Sequence, residues 1–230
     1  RLAFVLSELE AYVKPGLSTY EIDQKGEELI RKCDGIPSFL GYNGFPASIC
    51  VSVNDQVVHG IPAKEHYIDE GDIVSLDAGL IYKGWHADAA RTVPVGIIIP
   101  ELKDLIEVTK QSFFEGIKQA VPGNHINDIS IAIQSYVESH GYSVVRDLAG
   151  HGIGQNLHEA PDIFNFRQKK QGIMIEKNMT FAIEPMVNMG GYEVEWGEDD
   201  WTVYTADYSF SAHYENTILI TDGEPEILTL

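Results

Sequence analysis

The sequence predicts a single α+β domain spanning residues 1–230. Three observations carry this reading. Segments with apolar residues at helical spacing fall into two pairs, and each pair is followed by strand-type segments. The strands are punctuated by short turn signals, including Lys83-Gly84 and Asp222-Gly223. No low-complexity tract, short-period repeat or linker divides the chain, and 44% hydrophobic content suffices for a sizeable core.

In chain order, "LAFVLSELEAYV" has helical periodicity and stops before Lys14-Pro15-Gly16. Ser18-Thr19 opens a second helix, with Glu21 placed three residues after Ser18 as in a capping box, and this helix runs to about Cys33. A Gly/Pro-rich loop, "GYNGFPAS", leads to a strand "ICVSVN" and then to "QVVHGIP". The segment "LDAGLIYKGWHADAART", residues 76–92, reads as a hairpin turning at Lys83-Gly84. Two helices follow: "ELKDLIEVTKQSFFEGIKQA", after Pro100, and "INDISIAIQSYVESH", ending at Gly141. The remainder reads as the strands "YSVV", "MTFAIEPMV", "WTVYTA", "SAHYENTILIT" and "EIL". The two halves echo each other coarsely, each a helical stretch followed by acid-bearing strands.

Charge and cysteine content narrow the function. With 16 Lys+Arg against 35 Asp+Glu, the formal net charge is -19, which repels phosphate backbones and argues against direct nucleic-acid binding. Cys33 and Cys50, with no CxxC, make no disulfide framework and point to a reducing compartment, hence a cytoplasmic setting. No apolar run approaches membrane-spanning length and no signal peptide opens the sequence, which begins at Arg1.

The hairpin poses the chemical question. Aspartate is depleted in strands, yet Asp77 and Asp88 each occupy one. A turn at Lys83-Gly84 sets Tyr82 opposite Trp85 and Asp77 opposite Ala90, so Asp88, two residues from Ala90, shares the face of Asp77. A lone aspartate there would cap a turn or pair with Arg91. Two on one face repel unless one takes a proton or a cation lies between them. Glu184 closes the otherwise uncharged "TFAIEP", and Glu215 is the only acid in "SAHYENTILI". His151, flanked by Gly150, Gly152 and Gly154, has nothing bulky to block it from ligating. His59 ends the apolar run "QVV" ahead of Gly60. His158 lies in the same glycine-rich segment as His151, whereas His66, His86, His125, His140 and His213 read as structural. Four carboxylates and an imidazole suit two hard or borderline divalent ions, and two-metal sites activate a shared water. Competing chemistries are missing their motifs. There is no P-loop, no dinucleotide fingerprint and no GxSxG elbow, and Cys50 has no evident base.

The set "VVHGIP", "SLDAGLIYKGWHADAART", "AGHGIGQNLHEAP", "TFAIEPMV" and "HYENTILIT" resembles the type I methionine aminopeptidases of the pita-bread metallopeptidases, family M24, across nearly the whole chain. The resemblance implies an antiparallel sheet flanked by helices, with two pseudo-symmetric halves around a dinuclear metal site. It implies Asp77, Asp88, His151, Glu184 and Glu215 as metal ligands, with Asp88 and Glu215 bridging and Glu184 doubling as proton carrier. By the same resemblance, His59 and His158 contact substrate and act in catalysis without binding metal. Tyr42, Phe45, Cys50 and Trp201 would line a methionine pocket, and Asn54 and Ser211 would hold a monovalent cation. Leu157 and Phe45 depart from the family, which usually places an aromatic and a tyrosine there. The implied activity is removal of N-terminal methionine from nascent proteins and peptides that have a small second residue. The cofactors would be two ions drawn from cobalt, manganese, iron or zinc. A monomer is expected, with ribosome association compatible with the role. The alternatives are a catalytically inactive binding protein on this fold and a proline-directed peptidase, whose extra N-terminal domain 230 residues leave no room for.

Overall fold

The computed structural model describes residues 1–230. Four helices, α1 (Leu2–Tyr12), α2 (Thr19–Lys32), α3 (Pro100–Ile117) and α4 (Ile126–Ser139), flank a nine-stranded antiparallel sheet and two three-stranded sheets. The start of α2 is the capping box expected from the sequence. The Ser18 side chain accepts from the Glu21 N–H at 3.2 Å, and the Glu21 carboxylate accepts from the Ser18 N–H at 2.8 Å. Proline at the first position of α3 removes an N–H that would have no helical partner there.

Each helix pair builds its own core. Leu6, Leu9, Ile22 and Ile30 pack on the outer face of the first hairpin with Leu76 and Ala78, while Leu105, Phe113, Ile129 and Ile133 pack on the later strands with Phe181, Ile183 and Ile218. This is the pseudo-symmetry that the faint internal echo announced. The two halves join where Trp85–Pro94 pairs with Glu215–Leu219 in the middle of the large sheet.

The hairpin has the register deduced from its turn. Strands Ile73–Tyr82 and Trp85–Pro94 pair with Tyr82 opposite Trp85 and Asp77 opposite Ala90. Lys83 and Gly84 both adopt positive φ, 51° and 83°, as a type I′ turn requires.

Two segments read as continuous strands are each broken. "MTFAIEPMV" divides into Thr180–Ile183 and Met186–Asn188, because Pro185 has no N–H for a central ladder. "SAHYENTILIT" divides at Tyr214 into Ser211–His213 and Glu215–Leu219. In both cases the first piece and the second lie in different sheets. The two corners are tied together, Tyr214 N–H donating to the Pro185 carbonyl at 3.2 Å. Strands Ala149–Gly152 and Glu159–Phe164, which the glycine-rich sequence concealed, complete the far edge of the sheet. Gly152 is required there by close approach, since a Cβ on it would stand 2.4 Å from the Ala160 carbonyl oxygen. No helix is long and apolar enough to cross a membrane.

Candidate metal centre

The register of the sheet places the five sequence-selected ligands on one face. Asp77 and Glu215 both pair with Ala90, from opposite sides, so all three side chains point the same way. Asp88 is two residues from Ala90. Glu184 follows Ile183, which pairs with Asn216, and His151 pairs with Ala182, two residues before Glu184. Four strands of this sheet thus contribute one candidate ligand each, and Glu184 adds the fifth from the first residue beyond Thr180–Ile183. The methyl of fully buried Ala90 in the middle of the row leaves the space above it free.

The cluster is deeply buried: Asp77 is 8% exposed, Asp88 4%, His151 5% and Glu215 2%. Burial is the main cause of abnormal protonation throughout. It lifts Asp77 to about 7. Asp88 is raised well above the carboxylate range, first by burial and then by the charges of Asp77 and Glu184. Glu184 and Glu215 shift the same way, by burial and then by neighbouring carboxylates. Arg91 does not neutralise them. Its guanidinium donates to the carbonyl oxygens of Ala90 at 2.7 Å and Glu215 at 2.5 Å, and to the Asn216 side chain at 2.7 Å. Asp77 Oδ1, Asp88 Oδ1 and Glu215 Oε1 are buried without a hydrogen-bond partner, an arrangement that costs heavily unless a cation takes those lone pairs. The donor set therefore fits divalent ions.

His151 is oriented for ligation. Its Nδ1 lies 2.8 Å from the Gly152 carbonyl oxygen, which can only accept, so the proton sits on Nδ1 and Nε2 offers its lone pair. That Nε2 is 3.9 Å from Asp88 Oδ2 and 3.8 Å from Glu184 Oε1. Burial, then the proximity of His158, lowers His151 to about 4 and keeps it neutral.

Above this floor opens a cavity of about 340 Å³. Its apolar wall holds all four expected residues, Tyr42, Phe45, Cys50 and Trp201, and adds Phe39 and Leu157, which pack with them. The rings of Phe45 and Trp201 meet edge to face at 5.1 Å. Burial raises the Cys50 thiol well above its ordinary value, so it serves as an apolar wall rather than a nucleophile. His158 stands at the rim with Nδ1 2.8 Å from the Tyr42 hydroxyl. His59 faces the edge of Trp201 from 6.4 Å and is lowered to about 4, first by burial and then by His158. Its backbone is left-handed, φ 59°, a strained state for a residue with a Cβ that clusters at functional sites.

Asn54 and Ser211 do adjoin, the Ser211 N–H donating to the Asn54 carbonyl at 2.9 Å. The Asn54 side chain is already engaged by Asp72 at 2.8 Å and the Ile73 N–H at 3.1 Å.

Of the five histidines read as structural, four have such places. His125 caps α4, His140 bonds the Tyr136 carbonyl at 2.8 Å, His86 bonds Ser38 at 3.0 Å, and the His66 carbonyl accepts from Thr19. His213 has no such anchor for its ring. Its ring is 2% exposed, lies 3.8 Å from Glu184 Oε2, and has no partner on either nitrogen. The sequence held one signal for it: two residues before Glu215, it shares that side chain's face in any extended segment.

An antiparallel sheet with a helix pair on each half and an acid-imidazole cluster at the seam is the pita-bread arrangement, and it defines a metallopeptidase. The chain belongs to metallopeptidase family M24, whose model matches residues 2–222. It is 52% identical to the methionine aminopeptidase of Clostridium acetobutylicum, over 98% of this chain and 90% of that one. It is 48% identical to methionine aminopeptidase 1 of Bacillus subtilis, over 99% and 92% of the two chains. The solved methionine aminopeptidase of Thermotoga maritima superposes with a TM-score of 0.97 at 44% identity, covering 99% of this chain and 92% of that one.

Proposed function

We propose that this chain is an aminopeptidase that removes methionine from the N-terminus of nascent proteins and peptides, favouring a small second residue. The observation that carries this is the placement of an apolar, ring-lined cavity directly over the carboxylate floor. A thioether packs well against aromatic rings, so a methionine side chain seated there leaves its peptide bond over the acids.

Asp77, Asp88, His151, Glu184 and Glu215 are assigned to hold two divalent ions, with Asp88 and Glu215 shared between them. Such ions, cobalt, manganese, iron or zinc, would supply an acidified water and polarisation of the scissile carbonyl. Glu184 takes a proton at its carboxylate and returns it toward the leaving amine. His158 donates from Nε2–H to the carbonyl oxygen as negative charge builds on it. His59 sits near the scissile nitrogen, positioning it or assisting its departure. Asn54 and Ser211 are assigned to a peripheral monovalent cation. The proposed setting is a monomeric, single-domain cytoplasmic enzyme meeting peptide N-termini as they leave the ribosome.

Metal analysis paired with peptide cleavage tests the reading. Methionyl-alanyl peptides should be cleaved by metal-loaded protein and not by chelated protein. Bound metal without cleavage would favour the inactive binding protein. Preferential cleavage before proline would favour the proline-directed peptidase.

A further inference from the structure

His213 has the same relation to the acid cluster as His151. His151 Nε2 is 3.9 Å from Asp88 Oδ2 and 3.8 Å from Glu184 Oε1. His213 Nε2 is 3.8 Å from Glu184 Oε2 and 3.9 Å from Glu215 Oε2. Glu184 therefore stands between two imidazoles with one oxygen turned to each. The donor atoms of Asp88, His151 and Glu215 form one compact triad, and those of Glu184, His213 and Glu215 form a second.

The His213 ring makes no hydrogen bond to any protein group. Both ring nitrogens are buried without a partner, and separations of 3.8 and 3.9 Å from the two carboxylates are too long. Its main chain is fixed independently, His213 N–H donating to Thr92 Oγ1 and the His213 carbonyl accepting from the same hydroxyl, each at 2.8 Å. The ring is thus held in position by its backbone and left unpaired at its tip. Donors about 2.1 Å from one ion lie roughly 3.0–3.6 Å apart, so the second triad, whose donor atoms lie within 4.8 Å of one another, must contract to hold a cation, as must the first.

We propose that His213 is a sixth metal-ligating side chain, binding through Nε2 the ion that Glu184 and Glu215 face. This rests on the dinuclear reading above. A second imidazole makes the site softer, favouring zinc or cobalt over manganese more than a single-histidine site would.

X-ray absorption at the zinc edge of the zinc-loaded chain counts imidazoles directly. Two per metal pair are expected in the native chain and one in His213→Gln. His151→Ala should keep one, from His213, which preserves the test if His213→Gln folds poorly. In calorimetric titrations, His213→Gln should weaken binding of one zinc ion at least about tenfold, with a smaller change for manganese. Bound zinc with a single imidazole in the native chain, and an unchanged spectrum in His213→Gln, would reduce His213 to a hydrogen-bonding neighbour and overturn the inference alone. A chain that binds no zinc, cobalt or manganese would overturn the dinuclear reading together with it.

Discussion

The hydroxyl of Tyr42 lies 2.8 Å from Nδ1 of His158. When that hydroxyl donates, the imidazole proton is held on Nε2, the nitrogen free to meet a carbonyl oxygen in the cavity. Tyr42→Phe should lower turnover by about fivefold, the value of one hydrogen bond of ~1 kcal/mol. His158→Ala should lower it by about 10²–10³. The double variant should be no worse than His158→Ala, because the two act through one group. Steady-state rates on the three proteins decide this, and equal losses for both single variants would contradict it.

Asp88 is assigned to both ions and is crowded by like charge from Asp77 and Glu184. Asp88→Asn should therefore abolish turnover and release at least one ion. In metal-free protein the same change removes a repelled buried carboxylate, so it should raise the melting temperature. Metal analysis and paired melting curves, with and without chelator, would expose a misassigned ligand as a variant that keeps both ions.

The pH dependence of the metal-free chain has a definite sign. Asp77 rises from 3.8 to about 7 on folding, and Asp88, Glu184 and Glu215 shift the same way. The folded state then binds more protons than the unfolded one, and stability falls as pH rises through that range. His59 and His151, lowered from 6.5 to about 4, and His213, lowered to about 3, act oppositely but only below pH 6.5. Above pH 6.5, through the range near pH 7 in which Asp77 titrates, the carboxylates act alone, so chelated protein should lose thermal stability there as pH rises. Excess manganese should abolish the slope. A flat profile in chelator would contradict the burial of these acids.

Phe45 is 3% exposed and packs edge-on against Trp201. Phe45→Ala widens the cavity without touching the acids. KM for methionyl peptides should rise by about tenfold or more, from ~1.5–3 kcal/mol of lost apolar contact, with a smaller change in kcat. Circular dichroism checks that the fold survives. A drop confined to kcat would place Phe45 in the reaction rather than in the pocket.

The hairpin was legible to the residue because a two-residue turn fixes register, and register fixes faces. The four candidate carboxylate ligands were picked out by the rarity of acids in apolar strands, and His151 by the glycines around it. His213 was read as structural although its place two residues before Glu215 is a spacing signal, because a single histidine between small and aromatic residues draws no attention until the surrounding acids are brought to it. Its significance comes from the corner at Tyr214 and Pro185, which brings Glu184 and Glu215 together beneath it. That corner was invisible while both segments read as unbroken strands. The edge strands Ala149–Gly152 and Glu159–Phe164 were hidden for another reason. Glycine weakens every strand preference, and here it is selected by the closeness of neighbouring backbone rather than by pleated packing.

Strand Glu215–Leu219 lies in the middle of the sheet, between Trp85–Pro94 and Thr180–Ile183, although it follows both of them in sequence. While a ribosome is still making this chain, the seam between its halves stays open, with Asp88 on one bank and His151 and Glu184 on the other. Closing it requires contacts between residues far apart in sequence, which are slow to form. The four acids and the imidazole assigned to the cations therefore cannot come together until Glu215 has emerged. Cations that bind only the closed form would pull the final strand into place by mass action, so metal supply would set the yield of folded chains as well as their activity.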